Sequence, residues 1–307
     1  MTIAEALQQG TVLLRNSPSA RLDAEVLLAH VLGLRRVDLY AHPTRVLTST
    51  EEAAFRELLR RRAAQEPVSY LVGKKEFFGL TLLVDRRVMI PRPETEVLVE
   101  RALACARALE GEELCIADIG TGSGCIVVAL AHALPRARFY ATDISPEAGQ
   151  VAQENFRRHG LEERVTFLEG DLCTVLPERV DLLVSNPPYT LWEHLPLGIT
   201  AYEPRLALDG GPDGLAVYRR LLPQIPAYVR PGGFALLELG DGQAEEVSAL
   251  AREACPGGLL RTWPDYSGFE RVLEIRLGTG GQQENKRLAG PGRPGRPGNA
   301  GRSAYDL

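Results

Sequence analysis

Ser185-Asn186-Pro187-Pro188-Tyr189 carries the most specific chemistry in this sequence. An amide nitrogen is a poor nucleophile because its lone pair is delocalised. A site that makes it react must hold the NH2 group by both hydrogens and aim the nitrogen at an electrophile. The side-chain oxygen of Asn186 can accept one N–H and the carbonyl of Pro187 the other. Two successive prolines restrict the backbone, so those acceptors are preset. Tyr189 can pack on the flat amide face. Because such acceptors favour positive charge developing on nitrogen, they act electrostatically in the transition state. No separate general base is required, since the alkylated nitrogen becomes acidic and can lose its proton to the site or to water. An exocyclic adenine amine offers the same two hydrogens once the base is flipped out, so DNA adenine is a rival acceptor.

The second motif suggests where a methyl group would come from. Asp118-Ile119-Gly120-Thr121-Gly122-Ser123-Gly124 ends an apolar run and opens a helical one. It is not a P-loop, because no Gly-Lys-Ser/Thr follows, and its third glycine comes one residue too early for the dinucleotide fingerprint. An acid just before a G-x-G-x-G loop suits a cofactor with an amino acid end and no pyrophosphate, and S-adenosyl-L-methionine is such a cofactor. Asp143 ends the next apolar run, where a carboxylate can take both hydroxyls of a ribose. Gly170-Asp171-Leu172 follows the third, placed to cover an adenine ring. Ile90-Pro91-Arg92-Pro93-Glu94-Thr95-Glu96 is a rigid, extended entry to a helix, and we read Glu94 and Thr95 as contacts to the methionine end of the cofactor.

Alternating elements must position these groups. Strands are expected at Leu114–Ile119, Arg138–Asp143, Val165–Leu168, Val180–Ser185 and Phe234–Leu239, with a closing pair at Leu259–Thr262 and Val272–Arg276 and helices between. That pattern argues a mostly parallel α/β sheet covered on both faces. Before it, residues 1–72 read as helices. Thr2 with Glu5, and Ser49 with Glu52, have capping-box spacing. Ser17-Pro18 opens a helix that ends near Gly33, and a charged helix from Glu51 to Gln65 stops before Pro67. A hairpin around Gly79 occupies 73–90, the proline-fixed extended stretch follows from Ile90, and a helix runs from about Glu94 to Leu109. Residues 278–307 hold too few aliphatics to offset ordering entropy and read as a disordered tail; its Gly280-Gly281-Gln282 reads as coincidence.

The chain has 307 residues, 45% of them hydrophobic, and a net charge of -5. Neither a basic cleft nor a DNA-recognition segment is evident, which argues against nucleic acid. The five cysteines are odd in number and lack C-x-x-C spacing, so they read as buried hydrophobes and not as disulfides or zinc ligands. The five histidines have no metal spacing, and no metal is expected. No apolar run approaches the roughly 18 residues that cross a bilayer. Met1-Thr2-Ile3-Ala4-Glu5 lacks the marks of a leader, so a cytoplasmic protein is expected.

Taken together, these motifs resemble the bacterial peptide chain release factor N5-glutamine methyltransferases. The resemblance covers roughly residues 18–277. It includes Arg21-Leu22-Asp23-Ala24-Glu25, Glu66-Pro67-Val68-Ser69-Tyr70-Leu71, Glu76-Phe77-Phe78-Gly79-Leu80, the 90–96 stretch, the glycine loop, Asn186-Pro187-Pro188-Tyr189 and Tyr202-Glu203-Pro204. It implies a helical substrate-recognition domain (1–72), a hairpin linker (73–90) and a Rossmann-like, seven-stranded methyltransferase domain (91–277). It implies methylation of the glutamine in the Gly-Gly-Gln motif of class 1 release factors. Gly120 to Gly124, Asp143 and Leu172 would bind S-adenosyl-L-methionine; Asn186 would touch cofactor and substrate; Pro187, Pro188 and Tyr189 would hold the glutamine amide. Position 172 is often aromatic in the family, so Leu172 would replace ring stacking by apolar contact. Thr190-Leu191-Trp192-Glu193-His194 departs from the family's usual sequence. A monomer is expected, without membrane or nucleic-acid partners. A glutamine of a ribosomal protein is the other acceptor that shares the motif.

Overall fold

The computed structural model describes residues 1–109 and 113–279, so the expected disorder of the tail and its Gln282 lie, from residue 280 onward, outside the described residues. The chain opens with five helices: α1 (Ile3–Leu13), α2 (Ala20–Leu32), α3 (Arg36–Ala41), α4 (Ser49–Ala63) and α5 (Val68–Val72). Ile3, Leu7, Leu27, Leu28, Phe55 and Leu59 pack into one small core between them. Thr2 and Glu5 close the expected capping box at 3.3 and 2.8 Å. The second box forms one residue earlier than expected, between Thr48 and Glu51. Both pairs have the spacing; Glu51 is also held by Arg45 at 2.6 Å, whereas Glu52 turns to Arg56 and the N-terminal amine. Helix α2 starts at Ala20, just after Ser17-Pro18. The hydroxyls of Ser17 and Ser19 are engaged by Asp23 at 2.8 Å each, and Asp23 also pairs with Arg62, so neither serine caps through its side chain.

Strands β1 (Lys74–Phe77) and β2 (Leu80–Leu83) form the hairpin, turning at Phe78-Gly79. The buried amide of Asn155 fastens it to the larger unit: Oδ1 accepts from Leu83 N–H at 2.7 Å, and Nδ2 donates to the carbonyls of Leu83 (3.0 Å) and Ser123 (2.8 Å). One side chain therefore joins the hairpin, its own helix and the glycine loop.

The larger unit contains α6 (Thr95–Ala108), β3 (Cys115–Ile119), α7 (Cys125–Ala133), β4 (Arg138–Asp143), α8 (Pro146–Arg158), β5 (Val165–Glu169) and β6 (Val180–Ser185). Three short helices follow, α9 (Leu197–Thr200), α10 (Ala216–Leu221) and α11 (Ile225–Tyr228), then β7 (Val229–Glu238), α12 (Ala244–Ala254), β8 (Leu259–Pro264) and β9 (Glu270–Arg276). The seven strands lie in the order β5-β4-β3-β6-β7-β9-β8, parallel except for β9, which runs antiparallel to both β7 and β8. Every residue of β3 is buried. Alternation sends Ile116, Leu182, Val184 and Leu236 to one helical layer and Ala117, Ile119, Leu183 and Leu237 to the other. That double burial is why these strands read as continuous apolar runs. Strand β7 begins five residues before the expected start at Phe234, because Val180 and Val229 pair across an irregularity that absorbs Pro231 and the glycines after it. The order reverses between β3 and β6, and their carboxyl ends border a crevice at that switch point, the usual ligand position in open α/β sheets.

Candidate active site

The crevice is a cavity of about 380 Å³. Gly120, Thr121, Gly122, Ser123, Asp143, Asp171, Leu172, Thr95, Asn186 and Pro188 line it, so the structure brings most of the singled-out residues to one space. Gly124, Glu94, Pro187 and Tyr189 lie outside that lining, and Glu94 is exposed. Pro91 of the 90–96 stretch adds to the apolar wall, as do Met89 and Ile144, which nothing in their own spacing marked.

The loop is shaped by two glycines with different duties. Gly122 has φ +55°, and a Cβ there would meet no atom within 4 Å, so its backbone faces open space. Gly124 has φ +79°, and a Cβ there would lie 2.6 Å from the ring of Phe156 on α8. One glycine leaves open space above the loop; the other lets the loop and α8 pack.

Two carboxylates flank the loop. Asp143 accepts from Gly122 N–H at 2.8 Å and from Ser145 N–H at 2.9 Å, one bond to each oxygen. Each oxygen keeps a lone pair for a hydroxyl. Burial raises its pKa, and the backbone N–H groups around it work against that rise. Asp118 is buried; its Oδ2 accepts from the Thr121 hydroxyl at 2.7 Å, while Oδ1 has no partner. Burial pushes its carboxyl up to about 7, the Thr121 hydroxyl opposing and Asp143 reinforcing the shift. Asp171 is paired with Arg220, which also borders the cavity. Leu172 adopts φ +54°, costly for a branched side chain, and its carbonyl accepts from Thr142 at 3.3 Å.

At the end of β6, the Ser185 hydroxyl donates to the Ile119 carbonyl at 2.7 Å and ties the amide motif to the glycine loop's strand. The Asn186 Nδ2 donates to Thr95 Oγ1 at 3.1 Å, which leaves Asn186 Oδ1 as an acceptor for an incoming ligand. The hydroxyl of Tyr189 is spent inside the protein, donating to Glu238 Oε1 at 2.9 Å. Glu203 of Tyr202-Glu203-Pro204 is buried and accepts from Ile90 N–H at 3.0 Å and from Arg92 at 2.5 Å. That bond joins the loop after Tyr189 to the extended stretch before Thr95. Tyr202 donates to the Ala64 carbonyl at 2.8 Å, so the same loop also rests on the helical unit. Glu238 is a functional candidate that motif reading passed over, and Glu203, which entered only within the Tyr202-Glu203-Pro204 motif, was given no role. A carboxylate closing an otherwise apolar strand was the visible signal for the first.

The five cysteines are free and buried, as expected. Among the described residues no group of three or more potential ligands is arranged for a metal, and no helix is long and apolar enough to cross a membrane.

A sheet of this order with a glycine loop and an acid at the tips of β3 and β4 defines a Rossmann-like, S-adenosylmethionine-dependent methyltransferase. A methyltransferase from Pyrococcus furiosus shares the fold, with a TM-score of 0.50 and 17% identity over 73% of this chain and 98% of its own. Residues 5–73 match the family described as PrmC N-terminal domain, and residues 95–199 the methyltransferase small domain. The release factor glutamine methyltransferase of Moorella thermoacetica is 48% identical over 82% of this chain and 90% of its own length. That of Geobacter sulfurreducens is 46% identical over 85% and 90%. The chain belongs to the release factor glutamine methyltransferase family.

Proposed function

We propose that this protein transfers a methyl group to the side-chain amide nitrogen of the glutamine in the Gly-Gly-Gln motif of peptide chain release factors. The observation that carries this reading is the Asn186–Thr95 bond at the tip of β6, which turns an acceptor toward the cavity beside the glycine loop. The residues present fit S-adenosyl-L-methionine: open space over Gly122, a ribose-compatible Asp143 and apolar cover from Leu172 and Ile144. When bound, that cofactor supplies a methyl on a sulfonium, which departs as a neutral thioether and needs no metal. Asn186 Oδ1 and the Pro187 carbonyl accept the two amide hydrogens and orient the nitrogen. They stabilise positive charge as the nitrogen bonds, and a preset acceptor of this kind contributes on the order of 10²–10³ in rate. Where the apolar walls displace water from around the bound groups, these dipoles act in a lower dielectric than bulk solvent. The nitrogen then loses a proton to the site or to water and the amide regains its resonance. Tyr189, its hydroxyl held by Glu238, presents its ring and not a proton.

The loop from Thr190 to Asp209 borders the amide motif and rests on the helical unit through Tyr202 and Ala64. We assign recognition of the factor to that loop together with the helices. The test is methyl transfer from labelled S-adenosyl-L-methionine to a purified release factor, its Gly-Gly-Ala variant, ribosomal protein and duplex DNA. Label on the intact factor alone is expected. Label on ribosomal protein or DNA instead would overturn the acceptor assignment.

A further inference from the structure

Glu238 has no place in the chemistry above, yet it sits directly behind it. It is the last residue of β7 and is fully buried. Ionisable side chains are rarely placed there without partners, because taking a carboxylate out of water is costly. Its Oε1 takes the Tyr189 hydroxyl at 2.9 Å and its backbone carbonyl takes the Tyr218 hydroxyl at 2.6 Å. Its Oε2 makes no hydrogen bond of ordinary geometry. Burial raises the Glu238 carboxyl to about 7; the Thr95 hydroxyl beside it, Tyr189 and Arg271 work against that rise, while Glu94 adds to it. Arg271 itself is engaged by Asp265 at 3.0 Å and by the Leu239 carbonyl at 2.9 Å.

Hydrogen-bond direction gives this arrangement its meaning. Thr95 Oγ1 already accepts from Asn186 Nδ2, so the Thr95 proton is left to donate, and the Glu238 carboxyl, which keeps an unpaired oxygen and interacts with that hydroxyl, is the acceptor available to it. The ionised carboxylate, the form that prevails above about pH 7, only accepts. With both hydroxyl protons drawn toward Glu238, Thr95 presents lone pairs to Asn186 and holds its NH2 inward. Asn186 Oδ1 then faces the cavity, as two donors from an incoming NH2 group require.

Resting on the amide-methylation reading, we propose that Glu238 is a positioning residue: it fixes Tyr189 directly and, through Thr95, the orientation of Asn186. Glu238→Gln keeps the shape and keeps an acceptor for Tyr189. Its new NH2 group competes with Asn186 for Thr95 Oγ1, and Asn186 is free to turn its own NH2 toward the substrate, donor against donor.

The test compares Glu238→Gln, Glu238→Asp and Thr95→Val with the wild type, using whichever acceptor the wild type methylates. A change of acceptor would therefore overturn the glutamine reading while leaving this comparison intact. We expect Glu238→Gln to lower kcat by roughly 100-fold, the scale of a misplaced reacting group. Its thermal midpoint should stay near that of the wild type and its KM for the acceptor should change far less than kcat. Glu238→Asp should recover part of the loss. Thr95→Val combined with Glu238→Gln should cost no more than the larger single change, because both break one chain. A second readout needs no acceptor: the Asn186 side-chain NH2 signal in ¹⁵N–¹H spectra should be protected from exchange in the wild type and exposed in Glu238→Gln. Wild-type kcat in Glu238→Gln, strictly multiplicative effects of the two substitutions, or an unchanged Asn186 signal would each overturn the proposal.

Discussion

Alanine at Gly124 and alanine at Gly122 should damage this protein in two separable ways. Both positions lie in the left-handed region, where a Cβ costs about 1–2 kcal/mol. At Gly124 the added carbon also lands 2.6 Å from Phe156 Cε1, with the Ala152 backbone 3.5 Å away. Phe156 is 2% exposed and has nowhere to swing, so overpacking adds about 1–3 kcal/mol. Reduced freedom of the unfolded chain returns about 0.4–1 kcal/mol in each variant. The net cost is then roughly 2–4 kcal/mol for Gly124→Ala and about 1 kcal/mol for Gly122→Ala, by these combined terms. At roughly 2–4 °C per kcal/mol for a chain of this size, thermal midpoints should fall by about 4–16 °C and about 2–4 °C. The cofactor response should reverse that ranking. The Gly122 carbon enters the open space that the loop borders, so S-adenosyl-L-methionine affinity should drop by an order of magnitude or more, whereas Gly124→Ala should still gain stability when cofactor is added. Melting curves with and without the cofactor, paired with calorimetric titration, separate the two. Equal destabilisation by both variants, or a full cofactor-induced shift in Gly122→Ala, would refute the division of labour within the loop.

Asn186→Ala should lower turnover by about 10²-fold or more with cofactor binding largely kept, in line with loss of one preset acceptor; turnover in a radiolabel assay within a few-fold of wild type would refute the amide clamp. Arg61 and Arg86 hold the buried Glu66 carboxyl down at about 2, below its ordinary 4.5. Its stabilisation, discounted to about 1 kcal/mol because both arginines reach into solvent, is fully present above pH 4.5 and lost as pH falls from there through 2. Glu66→Gln should flatten denaturation curves in that window, and an unchanged slope would count against the linkage. Asp118 behaves in the opposite sense, because its folded carboxyl is raised to about 7. The folded state keeps a proton that the unfolded chain releases, so stability falls as pH rises from about 4 through 7, with a full penalty of about 4 kcal/mol above that. Asp118→Asn should therefore gain stability over the wild type at pH 8 and little at pH 4, as read from urea midpoints; a pH-independent difference would refute it.

Secondary structure and the identity of the motifs were legible in the sequence because each rests on local or near-local rules. Strands buried on both faces appear as continuous apolar runs, which is why β3, β4 and β6 fall where residue types placed them to within one residue. Capping chemistry was equally visible, although spacing alone could not choose between Thr48–Glu51 and Ser49–Glu52; an arginine at position 45 decided it. Strand β7 was read too short because a proline and two glycines signal a break, and only pairing with Val180 shows that the strand runs through it.

The amide motif, the glycine loop and the acid at Asp143 carry their chemistry in residue type, so the sequence by itself determined what kind of reaction to look for. Tertiary structure decided which atoms remain free to perform it. Asn186 presents oxygen and not nitrogen to the cavity because Thr95, 91 positions away, takes its NH2 group. Tyr189 has no free proton to offer because Glu238 takes its hydroxyl. Glu203 spans 113 positions to reach the Ile90 amide and set the wall of the same cavity. Hydrogen-bond direction depends on a partner's position in space, and partners this distant leave no periodicity or spacing along the chain to be read.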